Sequence, residues 1–186
     1  MTRTARLDLI SAEDYLEGEQ HSQIRHEYVA GRVFAMVGGP LGHNRVTLNI
    51  ASFLNRHVRD SPCTAYMSDV KVRIEAADAF YYPDVVVSCE RTDPRSLYLE
   101  SPVLVVEVLS PSTENIDRRE KLLNYQKLPS LKEYVLVSAD EMQVEVYCRN
   151  GDRLAEVVAY GPEDTVVNLD SVEARLPMEE IYEGVL

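Results

Sequence analysis

A chain of 186 residues that is 45% hydrophobic can bury a core of its own without disulfides or structural zinc. Its 19 basic against 31 acidic residues leave a net charge of −12, the wrong sign for tight non-specific binding to a polyanion, so nucleic acid would need a local basic patch or a bound metal. Cys63, Cys89 and Cys148 are odd in number and far apart, which argues against a disulfide framework or a CxxC metal site and predicts reduced, partly buried thiols in a cytoplasmic protein. No segment approaches the roughly 18 consecutive apolar residues of a membrane span, and the first residues lack the apolar centre of a signal peptide, so no membrane partner is expected.

No low-complexity linker or internal repeat interrupts the chain, and one domain over residues 1–186 is expected. Ser11 and Asp14 resemble a capping box that starts a short helix over residues 12–17. HEYVA and RVFAM flank Gly31 and predict a β-hairpin. Over residues 41–59, Val46, Ile50, Phe53, Leu54 and Val58 recur at helical intervals, with Asn44, Arg45, Asn49 and Arg56 at polar positions, predicting the first long helix. Val70, Val72 and Ile74 then alternate with Lys71 and Arg73, as in a strand with one wet face. PDVVVSC and PVLVVEVLS are nearly continuous apolar runs suited to central strands. Ser112 or Thr113 can cap the helix that follows, through about residue 127, with Ile116, Leu122, Leu123, Tyr125 and Leu128 as its apolar contacts. EYVLV, MQVEVYC and RLAEVVAY predict three more strands, the last two a hairpin around residues 149–152. A short final strand after residue 166 and a helical turn near 178–182 complete the pattern.

Two acids stand in this scheme where acids are costly. Asp84 opens one apolar run and Glu107 interrupts another, and an ionised carboxylate buried in a strand needs a cation or a hydrogen-bond network to answer it. A divalent ion shared by the two, with a backbone carbonyl such as that of Val108 and retained waters, suits the oxygen coordination that magnesium prefers. Lys121 follows on the next predicted helix. It shares a face with Asp117 and Tyr125, at i, i+4 and i+8 spacing, so its ammonium can point at a metal-bound water or a phosphate if that helix packs beside the strand ends.

Each of these residues has a structural reading as well. Asp84 after Pro83 suits a turn acid that accepts backbone hydrogen bonds, and a lone helical lysine such as Lys121 is commonly solvated. Glu27 fits a solvated strand acid, and His43 a residue that bonds locally at a helix start, although a helix start also suits phosphate. Ile116 and Leu123 read simply as core.

The order PD, then an acid within an apolar strand, then lysine, resembles the PD-(D/E)xK nuclease superfamily. EVLSPST, with Asp117, Lys121 and Tyr125 after it and HEYVAGRVFAM and His43 before it, is similar to the Uma-two branch of bacterial restriction-type endonucleases. The resemblance runs from about residue 27 to 137. It implies an α/β restriction-endonuclease-like core, a mixed central β-sheet flanked by helices, here with an additional β-hairpin. It also implies that Asp84 and Glu107 are metal ligands and that Lys121 is the lysine that orients the attacking water, with Glu27, His43, Asp117 and Tyr125 in support. The superfamily's lysine usually lies two residues after the strand glutamate, where this chain has Leu109, so Lys121 takes that role only if the fold returns its head to the same point. The expected activity is hydrolysis of phosphodiester bonds by an endonuclease using Mg2+ or Mn2+. DNA is the favoured substrate over RNA, and a homodimer the expected assembly. The alternative is a nonhydrolytic nuclease-fold protein acting as an oligomeric interaction or nucleic-acid-binding module, which the acidic net charge favours.

Overall fold

The computed structural model describes residues 9–110 and 114–186. Helix α1 (Ala12–His21) is started by Ser11, whose hydroxyl accepts the Asp14 N–H at 3.0 Å and donates to the Asp14 carboxylate at 2.7 Å, as the sequence predicts. Strands β1 (His26–Val29) and β2 (Arg32–Ala35) form the expected hairpin. Its two turn residues, Ala30 and Gly31, both have positive φ, the twist that a two-residue hairpin requires. The long helix α2 (Leu41–His57) follows, then β3 (Thr64–Met67), β4 (Lys71–Ile74), β5 (Ala79–Tyr81) and β6 (Val85–Ser88).

Strand β7 (Tyr98–Leu99) leads into β8 (Pro102–Leu109), the long apolar run. After it come a π-helical stretch, Ile116–Lys121, and a single α turn, α3 (Leu122–Tyr125). The chain then forms β9 (Glu133–Ser138), β10 (Val144–Asn150) and β11 (Arg153–Tyr160). It ends with a second hairpin, β12 (Val166–Leu169) and β13 (Ala174–Pro177), and the turn α4 (Met178–Ile181). The C-terminal part therefore has two strands where one was expected. The predicted cap by Ser112 or Thr113 lies outside the described residues.

One sheet has the strand order β2-β1-β5-β4-β7, and a larger one the order β11-β10-β9-β8-β6-β3. The larger sheet is mixed: β8 and β9 run parallel, and its other neighbours are antiparallel. A parallel pair needs a crossover, which here is the segment carrying the π-helical stretch and α3. Alternation along β8 divides the core in two. Leu104, Val106 and Val108 meet Val46, Ile50 and Leu54 of α2 on one face. Val105 and Leu109 share the other face with Tyr125, Leu128, Tyr134 and residues of the smaller sheet. Glu107 belongs to this second face, between the crossover and the smaller sheet.

Three expectations are corrected. Lys71 does not lie on a wet face: β4 is flanked by β5 and β7, and Lys71 is buried with its ammonium donating to the Tyr82 hydroxyl at 3.2 Å. Burial pushes its pKa down. Cys63 and Cys89 are joined in a disulfide rather than standing as separate thiols. They are distant in sequence, but each lies one step beyond the register partners Thr64 and Ser88 of antiparallel β3 and β6, so pairing sets them opposite one another. Ile116 and Leu123 are not core, being 45% and 58% exposed. In this crossover the inward face belongs to Asp117, Lys121, Asn124 and Tyr125.

A second buried acid, Glu133 on β9, is answered without any cation. Its carboxylate accepts the N–H groups of Asp170 and Ser171, each at 3.0 Å, and fixes the turn between β12 and β13. Removing it leaves two amides without their charged acceptor. Glu133→Ala should lower unfolding stability by about 2–3 kcal/mol, with Glu133→Gln recovering part of the loss. Urea denaturation checks both, and a midpoint unchanged in Glu133→Ala would contradict this assignment.

Candidate active site

The register of β6 and β8 pairs Val85 with Val106, so one step further Asp84 stands opposite Glu107. Residues opposite one another on neighbouring strands point to the same face, with Cβ atoms about 4.5–5.5 Å apart. Both side chains line a single cavity of ≈ 490 Å³, together with Glu27, His43, Asp117 and Lys121. Sequence reasoning named all six, and the fold brings them together.

Lys121 is the centre of the group. Its ammonium lies 3.0 Å from Glu27 Oε1, 3.1 Å from Glu107 Oε1 and 3.3 Å from Asp117 Oδ1, and 5.4 Å from the centre of the Tyr81 ring. The crossover between β8 and β9 is what returns a lysine fourteen residues beyond Glu107 to that carboxylate. The π-helical stretch is held in place at both sides. Arg118 donates to both Glu145 oxygens on β10, at 2.8 and 2.7 Å, and Tyr134 of β9 donates to the Asp117 carbonyl at 3.0 Å. π-helical insertions of this kind concentrate at functional sites.

The other carboxylates are held in different ways. Tyr125 donates to Glu107 Oε1 at 3.3 Å, the same oxygen that Lys121 reaches. Asp84 Oδ2 accepts the Val108 N–H at 2.7 Å and lies 3.4 Å from His43 Nε2. The turn-acid reading of Asp84 is thus half right: it accepts a backbone hydrogen bond while facing the cavity. Glu27 accepts the Tyr82 N–H at 3.2 Å, so it is not a solvated strand acid. Tyr81 and Tyr82, immediately before the PD pair, support the site in ways the sequence reading missed. The signal available was two aromatic residues preceding a charged strand end.

Charge does not balance here. Four carboxylates face one ammonium and one imidazole. Glu107, only 3% exposed, has its pKa raised well above the usual carboxylate range by burial. The Lys121 ammonium opposes that rise, while Asp117, Asp84 and Glu27 add to it. Burial works against the charged form of Lys121, but Glu107, Glu27 and Asp117 outweigh it, and the ammonium keeps its proton. His43 is raised by its bond to Asp84, against the effect of burial. Asp117 Oδ1 is buried near the ammonium yet has no aligned hydrogen-bond donor among the described residues.

This donor set fits a hard divalent cation. It is all oxygen, has an excess of negative charge, and includes a buried carboxylate oxygen without a hydrogen bond. Among the described residues no three His, Cys, Asp or Glu side chains form a ready-made cage. An ion here would therefore use few carboxylates and keep waters, as magnesium characteristically does.

The raised pKa of Glu107 fixes the sign of a pH effect. Its contribution to stability is full below the ordinary value of 4.5 and is lost as pH rises through the raised folded value. In metal-free buffer the melting temperature should thus fall as pH is raised from about 5 to 8, and less steeply in Glu107→Gln. Thermal melts across that range check this, and equal slopes in the two proteins would contradict it.

Comparison with known proteins bears on the same residues. Residues 12–179 match the family Uma2, described as "Putative restriction endonuclease". An uncharacterized protein of Synechocystis sp., slr1290, is 33% identical over 177 residues, covering 95% of this chain and 93% of its own. A second uncharacterized protein of that organism, sll1609, is 31% identical over 156 residues, covering 82% and 88% respectively. The crystal structure of "a putative nuclease belonging to DUF820 from Anabaena variabilis" superposes with a TM-score of 0.73 at 19% identity, over 89% of this chain and 93% of that one. The shared fold is the restriction-endonuclease-like one, a mixed sheet flanked by helices. The matched region spans β1 to α3 and every cavity residue described above, and on that match the chain belongs to the Uma2 family.

Proposed function

We propose that this protein is a metal-dependent endonuclease that hydrolyses phosphodiester bonds of DNA. The observation that supports it most is the convergence of Asp84, Glu107 and Lys121, from two strands and a crossover, on one cavity with surplus negative charge. Asp84, Glu107 and the Val108 carbonyl are the groups that would hold magnesium or manganese. Bound there, the ion would lower the pKa of a water and offset charge on the phosphate.

The protein's own residues supply the rest. Lys121 is a fixed positive charge in a site that holds it from three sides, so it is already oriented when charge develops on the phosphate. Glu27, anchored by the Tyr82 amide, fixes the Lys121 head from the opposite sheet. His43 holds a proton beside Asp84 and keeps that carboxylate turned into the cavity. The nonhydrolytic alternative draws on the net charge of −12, and it makes Lys121 a purely structural counter-ion.

Lys121→Ala should reduce DNA cleavage in magnesium by about 10²-fold or more, the scale of losing one preorganised electrostatic donor, without weakening metal binding. Lys121→Arg should restore little, because a planar guanidinium does not replace a compact ammonium in a closed site. Lys127→Ala serves as the control, since Lys127 is exposed on the same crossover and bonds to Asn124 instead. Cleavage assays and metal titration on the three variants decide it. Wild-type cleavage by Lys121→Ala, or no cleavage by the wild type with magnesium or manganese, would favour the nonhydrolytic reading.

A further inference from the structure

The cavity has a second half that hydrolysis does not use. Strand β2 and the loop after it turn Phe34, Met36 and Val37 toward the same space, and Ile116 faces it from the crossover. These residues are exposed, Phe34 by 49% and Val37 by 90%. Clustered exposed apolar residues beside a charged site mark a binding surface more often than a packing error. Phe34 is the register partner of Glu27, so its ring rises from the sheet beside the carboxylate that holds Lys121. At ≈ 490 Å³ the cavity is within the range that holds a small ligand.

From this juxtaposition we infer that Phe34 and its apolar neighbours form a stacking wall for an unpaired nucleobase, whose adjoining phosphate lies at Asp84, Glu107 and Lys121. The inference rests on the nuclease reading and specifies its substrate: DNA with a single-stranded or extruded nucleotide at the cut. A nucleotide is the ligand that combines a flat apolar face with an anion at this spacing, and the cavity is continuous from one kind of surface to the other. Intact duplex offers phosphates and base edges but hides its base faces, so it would leave the wall uncovered. Stacking is also a way for an acidic protein to bind a polyanion, because it draws on the base rather than on phosphate charge. Gly39 lies at the rim, where a Cβ would come within 3.1 Å of the His43 ring, so the loop approaches the site more closely than a larger residue allows.

The test measures binding as well as cleavage. A single strand carrying 2-aminopurine, and the same sequence as duplex, are titrated by fluorescence with calcium as the probe cation, and both are then assayed for cleavage in magnesium. Wild type should bind the single strand more tightly than the duplex and change the 2-aminopurine signal. Phe34→Ala should weaken single-strand binding by roughly five- to 100-fold and raise KM more than it lowers kcat, while Phe34→Tyr should retain most of both. Val157→Ala, an exposed apolar residue on β11 outside the cavity, should bind the single strand like wild type. Cleavage of duplex that equals or exceeds single-strand cleavage and ignores Phe34→Ala would overturn this inference and leave the nuclease reading standing. Phe34-dependent binding without cleavage would support the stacking wall and overturn hydrolysis. A change of oligomeric state in Phe34→Ala, measured by size-exclusion chromatography with single-strand binding unchanged, would assign the wall to a second copy of the chain and overturn the inference.

Discussion

A single buried ammonium allows three acids to share one closed space. Lys121 is within 3.3 Å of Glu27, Glu107 and Asp117, which come from the hairpin of one sheet, a central strand of the other, and the crossover that connects strands of that sheet. Without it, burying Glu107 in an apolar strand would be costly, since an unanswered charge in low dielectric costs several kcal/mol at order of magnitude. The contrast with Glu133 is informative. Both acids are buried in central strands, but Glu133 is satisfied by two backbone amides and needs nothing more. Glu107 is answered by a cation that other carboxylates also claim, so the group as a whole still has room for positive charge.

The fold imposes this arrangement through one topological necessity. Because β8 and β9 run parallel, the chain must cross over between them, and the crossover lies on the sheet face that Glu107 occupies. The smaller sheet encloses the same face from the other side, bringing Glu27 and Tyr81. The site is therefore an inter-sheet feature, with its mouth toward the loop that follows β2.

Much of this could be read in the sequence. The hairpin, the long helix, the two apolar strands and the strand order after them leave strong periodic or turn signals, and Asp84 and Glu107 stand out because charges interrupt those runs. Lys121, Asp117 and Tyr125 follow from spacing alone. What could not be read depends on contacts distant in sequence. Lys71 alternates as a surface residue would, and only its neighbours β5 and β7 bury it. Cys63 and Cys89 are brought together by the register of β3 and β6, which no spacing rule gives. Glu27 resembles any strand acid until the opposite sheet supplies its lysine. Ile116 and Leu123 fit a helical stripe, yet buried polar groups outcompete them for the inward face because those groups have partners there and solvent is the worse alternative.

The π-helical stretch makes the length of the crossover matter as much as its composition. Each residue of an ordinary helix advances about 100° around the axis, and the wide turn over Ile116–Lys121 absorbs such an increment while keeping Asp117 and Lys121 on one side. Exchanging the exposed Arg119 for another helix-forming residue leaves that register alone. Deleting a residue between Asp117 and Lys121 would relax the turn to α geometry and rotate everything before it away from everything after it, with every side chain of the site still present. Insertion and deletion, rather than substitution, are thus the changes to which this centre is most vulnerable, and relatives that keep all the acids can still differ in whether their lysine arrives.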